Sequence, residues 1–246
     1  MRINKKITMK QIFISLIVLL SFSAFAQDNT VVNDNNAEKR ALSAGFTAIK
    51  VSDGIELFLT QGDEESIAVS ASEQKYMDRF KTEVEDGTLK IYFDHNGLSW
   101  VGDKRKLKAY VSFKTLEKLH VSSGASVIMK STLTADNLNC KFSSGARFKG
   151  QINVKELEMS QNSGASVEIS GATEKLDVEV SSGAMFKGYE LAVDYCTAKA
   201  TSGGGVRINV IKELNATANS GGGIRYKGEG VIKDLDVSSG GQVKKS

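Results

Sequence analysis

The sequence predicts an all-β chain, a parallel β-helix (β-solenoid) of about 19-residue coils with a more irregular β region before it. Three observations carry this reading. Ser-Gly recurs seven times, ending at Gly124, Gly145, Gly164, Gly183, Gly203, Gly221 and Gly240, a nearly constant spacing. Each copy follows alternating apolar positions, such as Leu116, Leu119 and Val121, or Leu176, Val178 and Val180. Finally, the 246 residues include 23 glycines and no proline, although ordinary usage near 5% would supply about a dozen prolines. A strand paired on both sides needs every N–H, which proline lacks.

Alternation with period two means strands with one buried face. A repeat of about 19 residues is too short for a helical hairpin repeat and lacks the Leu/Asn pattern of a leucine-rich repeat. It fits one coil of two or three short strands, with the next coil stacked about 4.8 Å away. After each glycine comes Ala or Gly, and at the third position after the glycine a Val, Phe or Ile, from Val127 to Val243.

The same counting decides what the serine does. Read alone, "SSGASV" (122–127) invites comparison with a hydrolase nucleophile elbow. A nucleophile is needed once, whereas Ser123, Ser144, Ser163, Ser182, Ser202, Ser220 and Ser239 repeat, with no histidine at a matching interval. These Ser-Gly pairs are read as structural corners, with the hydroxyls expected to point inward or into the corner and bond the neighbouring coil.

Other segments fall around this repeat. Residues 1–26 read as a signal peptide: Arg2, Lys5, Lys6 and Lys10, an apolar run from Ile12 to Leu20, then Ala24-Phe25-Ala26. No cysteine follows the cut, so no lipoprotein anchor is expected. Residues 27–41 are polar and are expected to be a disordered leader. Residues 42–115 hold rougher strands and a cap, with a short helix expected over Glu73–Phe80. Gly54 in "VSDGIELFL" reads as an early, degenerate corner. Residues 116–246 form the regular solenoid, continuous with 42–115 as one domain. Its last coil stops soon after its corner, and Lys244 and Lys245 are expected to guard that edge and keep the protein monomeric.

The order "FTAIKVSDGIELFLTQGDEESIAVSA", "EVEDGTLKIYF", then the Ser-Gly repeats resembles the head GIN domain family, labelled auto-transporter adhesins and abundant in Bacteroidetes. The resemblance covers about Phe46 to Val237, although the tripeptide Gly-Ile-Asn is absent. It implies a right-handed β-helix, export and no established activity. An auto-transporter ends in a membrane barrel of strands of roughly 10 residues; we expect this chain not to carry its own translocator.

Chemistry-bearing residues are few. Setting aside Arg2, Lys5, Lys6 and Lys10 from the 32 Lys+Arg leaves 28 against 29 Asp+Glu, which gives no electrostatic case for nucleic acid. Cys140 and Cys196 fall on inward positions three coils apart, about 14 Å, beyond disulfide reach; free buried thiols are expected. The only histidines, His95 and His120, lie in no ligand-spaced cluster. Neither a metal nor another cofactor is expected.

Glu158 and Asp177 occupy the sixth position before their glycines in adjacent coils, a spacing that could serve a retaining glycosidase. Lys118, Asn139, Thr197, Asn215 and Asp234 share that row, so a solvated polar ladder is the plainer reading. Lys149, Lys187, Arg207 and Arg225 occupy the fourth position after their glycines, interrupted by Glu168, and could meet an acidic glycan. Trp100, the only tryptophan, lies in "IYFDHNGLSW" (91–100), the stretch with the most ligand-like variety. It is a candidate surface-binding residue beside Lys149, Lys187, Arg207 and Arg225, although the plainer reading is that these aromatic residues plug the first coil. The whole reads as an exported, non-catalytic solenoid presenting a surface to a glycan or protein at the cell envelope. A carbohydrate-active enzyme is the alternative.

Overall fold

The computed structural model describes Asp34, residues 36–96 and residues 105–246; the expected signal peptide and Trp100 lie outside them. Among the described residues, seventeen strands join one continuous sheet that winds on itself. The regular part begins with β8 (Lys118–Val121), β9 (Ser126–Met129) and β10 (Leu133–Phe142). It continues through β11 (Arg147–Gln161), β12 (Ser166–Val180), β13 (Met185–Ala200) and β14 (Gly205–Ala218). The last strands are β15 (Gly223–Lys227), β16 (Val231–Val237) and β17 (Gln242–Lys245). Each coil pairs in parallel with the next, so equivalent side chains stack in columns. One inward column runs Leu138, Leu157, Leu176, Cys196, Leu214. Sharing of one apolar column by successive coils is what makes so short a unit stable when it could bury little alone.

The Ser-Gly corners are tight turns. Every repeat serine has a left-handed φ of 47° to 53°, and every repeat glycine 71° to 76°. The N–H after the glycine bonds the carbonyl before the serine, as Ala125 N to Ser122 O at 3.0 Å. Two left-handed residues closed by that bond make a type I′ turn. Glycine takes the second position without a Cβ penalty.

One expectation fails here. The seven serine side chains are exposed, facing neither inward nor into the corner. The serine backbone carbonyl makes the bond between coils: Gly124 N donates to Ser144 O at 2.9 Å, Gly145 N to Ser163 O at 3.0 Å, and so along the stack. A left-handed turn rotates the first side chain outward and its carbonyl along the solenoid axis. Serine is tolerated there as a small, solvated residue.

The N-terminal region departs from chain order. β2 (Ala48–Val51) and β3 (Glu56–Gln61) flank Asp53-Gly54, left-handed at 63° and 71°, which is indeed an early corner. They pair in parallel with β8 and β9. On their other side lie β6 (Thr88–Phe93) and β7 (Leu107–Phe113), later in sequence yet forming the outermost parallel coil. Antiparallel strands then close this end: β5 (Phe80–Glu85) on β6, β4 (Ser66–Ala71) on β7, and β1 (Glu38–Arg40) on β4. The expected helix is a 3-10 turn, Gln74–Arg79.

Part of the 27–41 leader, expected to be disordered, is ordered instead. β1 is a strand, and Asp34 accepts hydrogen bonds from Ser70 Oγ at 2.6 Å and Tyr110 Oη at 2.9 Å. These partners, the Ser70 hydroxyl foremost, hold the Asp34 carboxyl below its ordinary range. Burial and the same carboxylate push the Tyr110 phenol up to about 12. The cap, moreover, is built by antiparallel strands, and Phe93 is a core residue, 2% exposed.

The opposite end differs. β16 continues the inward columns through Ile232, Leu235 and Val237, paired with Leu214, Ala216 and Ala218. These three remain 37%, 51% and 45% exposed, because no further coil covers them among the described residues.

Candidate binding surface

Outward positions form columns as regular as the core's. The column before the corners runs Lys118, Asn139, Glu158, Asp177, Thr197, Asn215, Asp234, all in register. Glu158 and Asp177 are therefore neighbours on adjacent coils, as expected. Both are exposed, and Glu158 is engaged by the Asn139 side-chain amide. Burial, then the Glu179 and Glu158 charges, raise the Asp177 carboxyl above its ordinary range. The pair lines a depression of about 420 Å3 on the strand face, together with Asn139, Lys141 and Glu179.

The column after the corners runs Ile128, Lys149, Glu168, Lys187, Arg207, Arg225. Lys244 continues it in register with Arg225. Sequence reading missed this member, although it holds the same position after Gly240 as the others do after their glycines. Lys149 and Glu168 are ion-paired at 2.7 Å. From Lys187 to Lys244 the column is cationic at every step.

Beside it the sheet is interrupted. Register shifts occur between Glu168 and Ser170 of β12, and on β13 between Gly188 and Ala192, so the bulge includes Tyr189 and Glu190. Bulges re-aim side chains, and here Tyr189 and Glu190 help to line a cleft of about 500 Å3 with Met129, Ile169, Lys187 and Arg207. The Tyr189 hydroxyl lies 2.7 Å from Ser246 Oγ, and Lys227 Nζ sits 5.6 Å from the ring centre. A second depression, about 230 Å3, adjoins Arg225 and Lys244 over the glycines 221–223.

The remaining candidates are structural. Cys140 and Cys196 are free and buried, stacked on Leu119 and Met159 and on Leu176 and Leu214 respectively. Burial pushes the Cys140 thiol up to about 12 and raises Cys196 as well, so neither is a ready nucleophile. His120 stacks between Lys50 and Lys141; burial first, then those lysines, lower its pKa. His95 faces Asp53 at 3.3 Å.

A family model described as "Putative auto-transporter adhesin, head GIN domain" matches residues 45–230. The chain belongs to the head GIN domain family. Solved structures agree on the fold. A putative adhesin from Bacteroides fragilis is 18% identical with a TM-score of 0.76, over 87% of this chain and 98% of that one. A putative adhesin from Parabacteroides merdae is 20% identical with a TM-score of 0.65, over 87% and 97%. A structure titled putative lipid binding protein, from Parabacteroides distasonis, is 19% identical with a TM-score of 0.62, over 87% and 98%. No curated protein matches the sequence. Among the described residues of this head GIN domain chain, no helix is long and apolar enough to cross a membrane.

Proposed function

We propose that the protein is an exported, non-catalytic β-solenoid that presents a binding surface at the cell envelope, in the manner of an adhesin or scaffold. The observation that carries this reading is the outward grid: stacked, in-register columns on a rigid core, one of them cationic over four consecutive coils. Such a surface offers repeated equivalent contacts, whose linkage raises avidity without any single deep site. Membership of an adhesin-labelled family and the positively charged, apolar segment 1–26 support the same reading. The tests are added protease on intact cells, followed by recovery of the chain, and binding of the purified protein to isolated envelope. Cleavage and retention are expected. A chain wholly protected in the cytoplasm would refute it.

The second reading, a carbohydrate-active enzyme, draws on the register of Glu158 with Asp177 and the raised pKa of the latter. A retaining pair needs carboxyls about 5 Å apart, close to the coil step of about 4.8 Å. The exposure of both carboxylates argues against it, since such catalysis works by excluding water and holding the sugar. Release of reducing ends by the wild type but not by Glu158→Gln would establish the enzyme reading in place of ours.

A further inference from the structure

Elsewhere on the solenoid, charges on adjacent coils pair with one another. Lys155 meets Asp136 at 2.7 Å, Lys149 meets Glu168 at 2.7 Å, and Lys199 meets Glu179 at 3.2 Å; Lys212 meets Asp194 at 2.8 Å, and Lys233 meets Glu213 at 3.0 Å. Neutralisation between coils thus recurs on this surface, with Glu158 beside Asp177 a like-charged exception. Lys187, Arg207, Arg225 and Lys244 form a longer one. They occupy four successive rungs of one column, with no carboxylate between them and no ion pair to any of them among the described residues. Like charges directly opposite one another on neighbouring strands destabilise a sheet. The whole chain has 29 acidic residues against 32 basic ones, so acids are plentiful. Glu168 adjoins Lys187 in register and Glu190 lines the cleft beside it, yet no acid stands within the run of four.

The surroundings suit a chain-like ligand. Two positions before Arg207 and Arg225, on the same outward parity, stand Gly205 and Gly223, themselves in register. A Cβ at Gly223 would meet nothing within 4 Å, whereas the Met185 side chain fills the space over Gly205, so the surface is open beside Arg225 and covered by a thioether beside Arg207. The bulged Tyr189, tied to Ser246 and with Lys227 Nζ 5.6 Å from its ring centre, lines the cleft together with Lys187 and Arg207. A guanidinium forks onto a carboxylate through two parallel N–H bonds, and a ring face suits the apolar face of a sugar.

We propose that this column is the binding site for a linear acidic polysaccharide, a polyuronate-like chain lying along the solenoid axis with its carboxylates on Lys187, Arg207, Arg225 and Lys244. Each sugar of such a chain advances it by a distance of the same order as the coil step of about 4.8 Å, so a short oligomer spans the four rungs. A bilayer spreads its anions over a plane, which a column one charge wide engages poorly. This assignment rests on the binding-surface reading above and names its ligand class.

The test is calorimetric titration of the chain from Gln27 to Ser246 with oligogalacturonate long enough to span the four rungs. A neutral oligosaccharide of equal length, a single-stranded oligonucleotide and anionic phospholipid vesicles are run beside it. Binding of the oligogalacturonate alone is expected, weakening as salt screens the contacts. Arg207→Glu should lower affinity about tenfold or more, whereas Lys118→Glu, the same charge change in the column before the corners, should leave it unchanged. Far-ultraviolet circular dichroism establishes that each variant is folded. Equal weakening by both variants, or preference for the oligonucleotide or the vesicles, overturns the proposal. Binding to envelope with none to the acidic oligomer overturns this ligand and leaves the binding-surface reading standing; loss of both takes both down.

Discussion

The two outward columns beside the Ser-Gly corner are made by the same fold and differ only in what they carry. Before the corner the column reads Lys118, Asn139, Glu158, Asp177, Thr197, Asn215, Asp234, mixed in sign and interrupted by amides and a hydroxyl. After it the column ends in four cations. Parallel register obliges residues one coil apart to be neighbours, so it turns any bias in composition into a line of like groups. Elsewhere the chain uses this neighbourhood to neutralise charge, as Lys155 does with Asp136. Four unneutralised cations are the longest run of like charge in either column, against two for Glu158 and Asp177, and that is where we place function.

The largest effect should come from the corner that holds both columns in register. A Cβ on Gly222 would run into the Ala200 carbonyl, so Gly222→Ala must shift backbone in the adjoining coil. Overpacking of this kind typically costs about 1–3 kcal/mol, measurable by urea denaturation. The serine beside such glycines tests the turn itself. Ser182 is exposed at φ 52°, so Ser182→Val should lose about 1–2 kcal/mol through left-handed strain, with no overpacking involved. If Ser182→Val matches wild type, the turn is not what fixes the coil.

Smaller changes sharpen the contrast between columns. Arg207→Glu places an acid between Lys187 and Arg225 and should raise stability by roughly 0.2–1 kcal/mol, even as it weakens the proposed site. The same exchange at Lys118, beside Asn139, should leave stability within about 0.5 kcal/mol. An Arg207→Glu protein less stable than wild type would mean that the column is not under repulsion.

Titration supplies the smallest test. The Asp177 carboxyl is raised, so the folded state binds its proton more tightly than the unfolded state does, and this group favours folding as pH falls through its folded pKa. Asp34 is lowered and works in the opposite sense: its contribution is present above the unfolded carboxylate pKa and is lost as pH falls through the folded one. Asp177→Asn should therefore steepen the acid loss of stability and Asp34→Asn should flatten it, as read from thermal midpoints between neutral and acid pH. Profiles that shift the same way would contradict these assignments.

Much of this architecture is legible in the sequence because register converts a linear count into space. The near-constant Ser-Gly interval alone places Glu158 beside Asp177 and Arg207 beside Arg225, as the parallel pairing shows. What the count misses has physical reasons. Serine is not a residue that announces a left-handed conformation, so its type does not reveal that the corner turns its side chain outward. The coil formed by β6 and β7 lies outside β2 and β3 although it follows them in sequence, and no local pattern encodes such an insertion. Ordering of Asp34 depends on Ser70 and Tyr110, both distant in sequence. The bulge at Tyr189 arises from coils of unequal length, which shows in the intervals, but which residues it re-aims does not.

The ends make a second contrast. Antiparallel strands close the N-terminal side, whereas Leu235 and Val237 of β16 stand open at the other. Amides of β16 and β17 should consequently exchange fastest among the strands of the regular coils, because local opening there exposes little that is not already exposed.

Hydrogen exchange also gives the most direct test of the binding column, when recorded with and without oligogalacturonate at low salt. Ligand should slow exchange in the strands after the corners, around Lys187, Arg207, Arg225 and Lys244, and leave the strands carrying Glu158 and Asp177 unchanged. Protection centred on Glu158 and Asp177, or none at any coil, would contradict it.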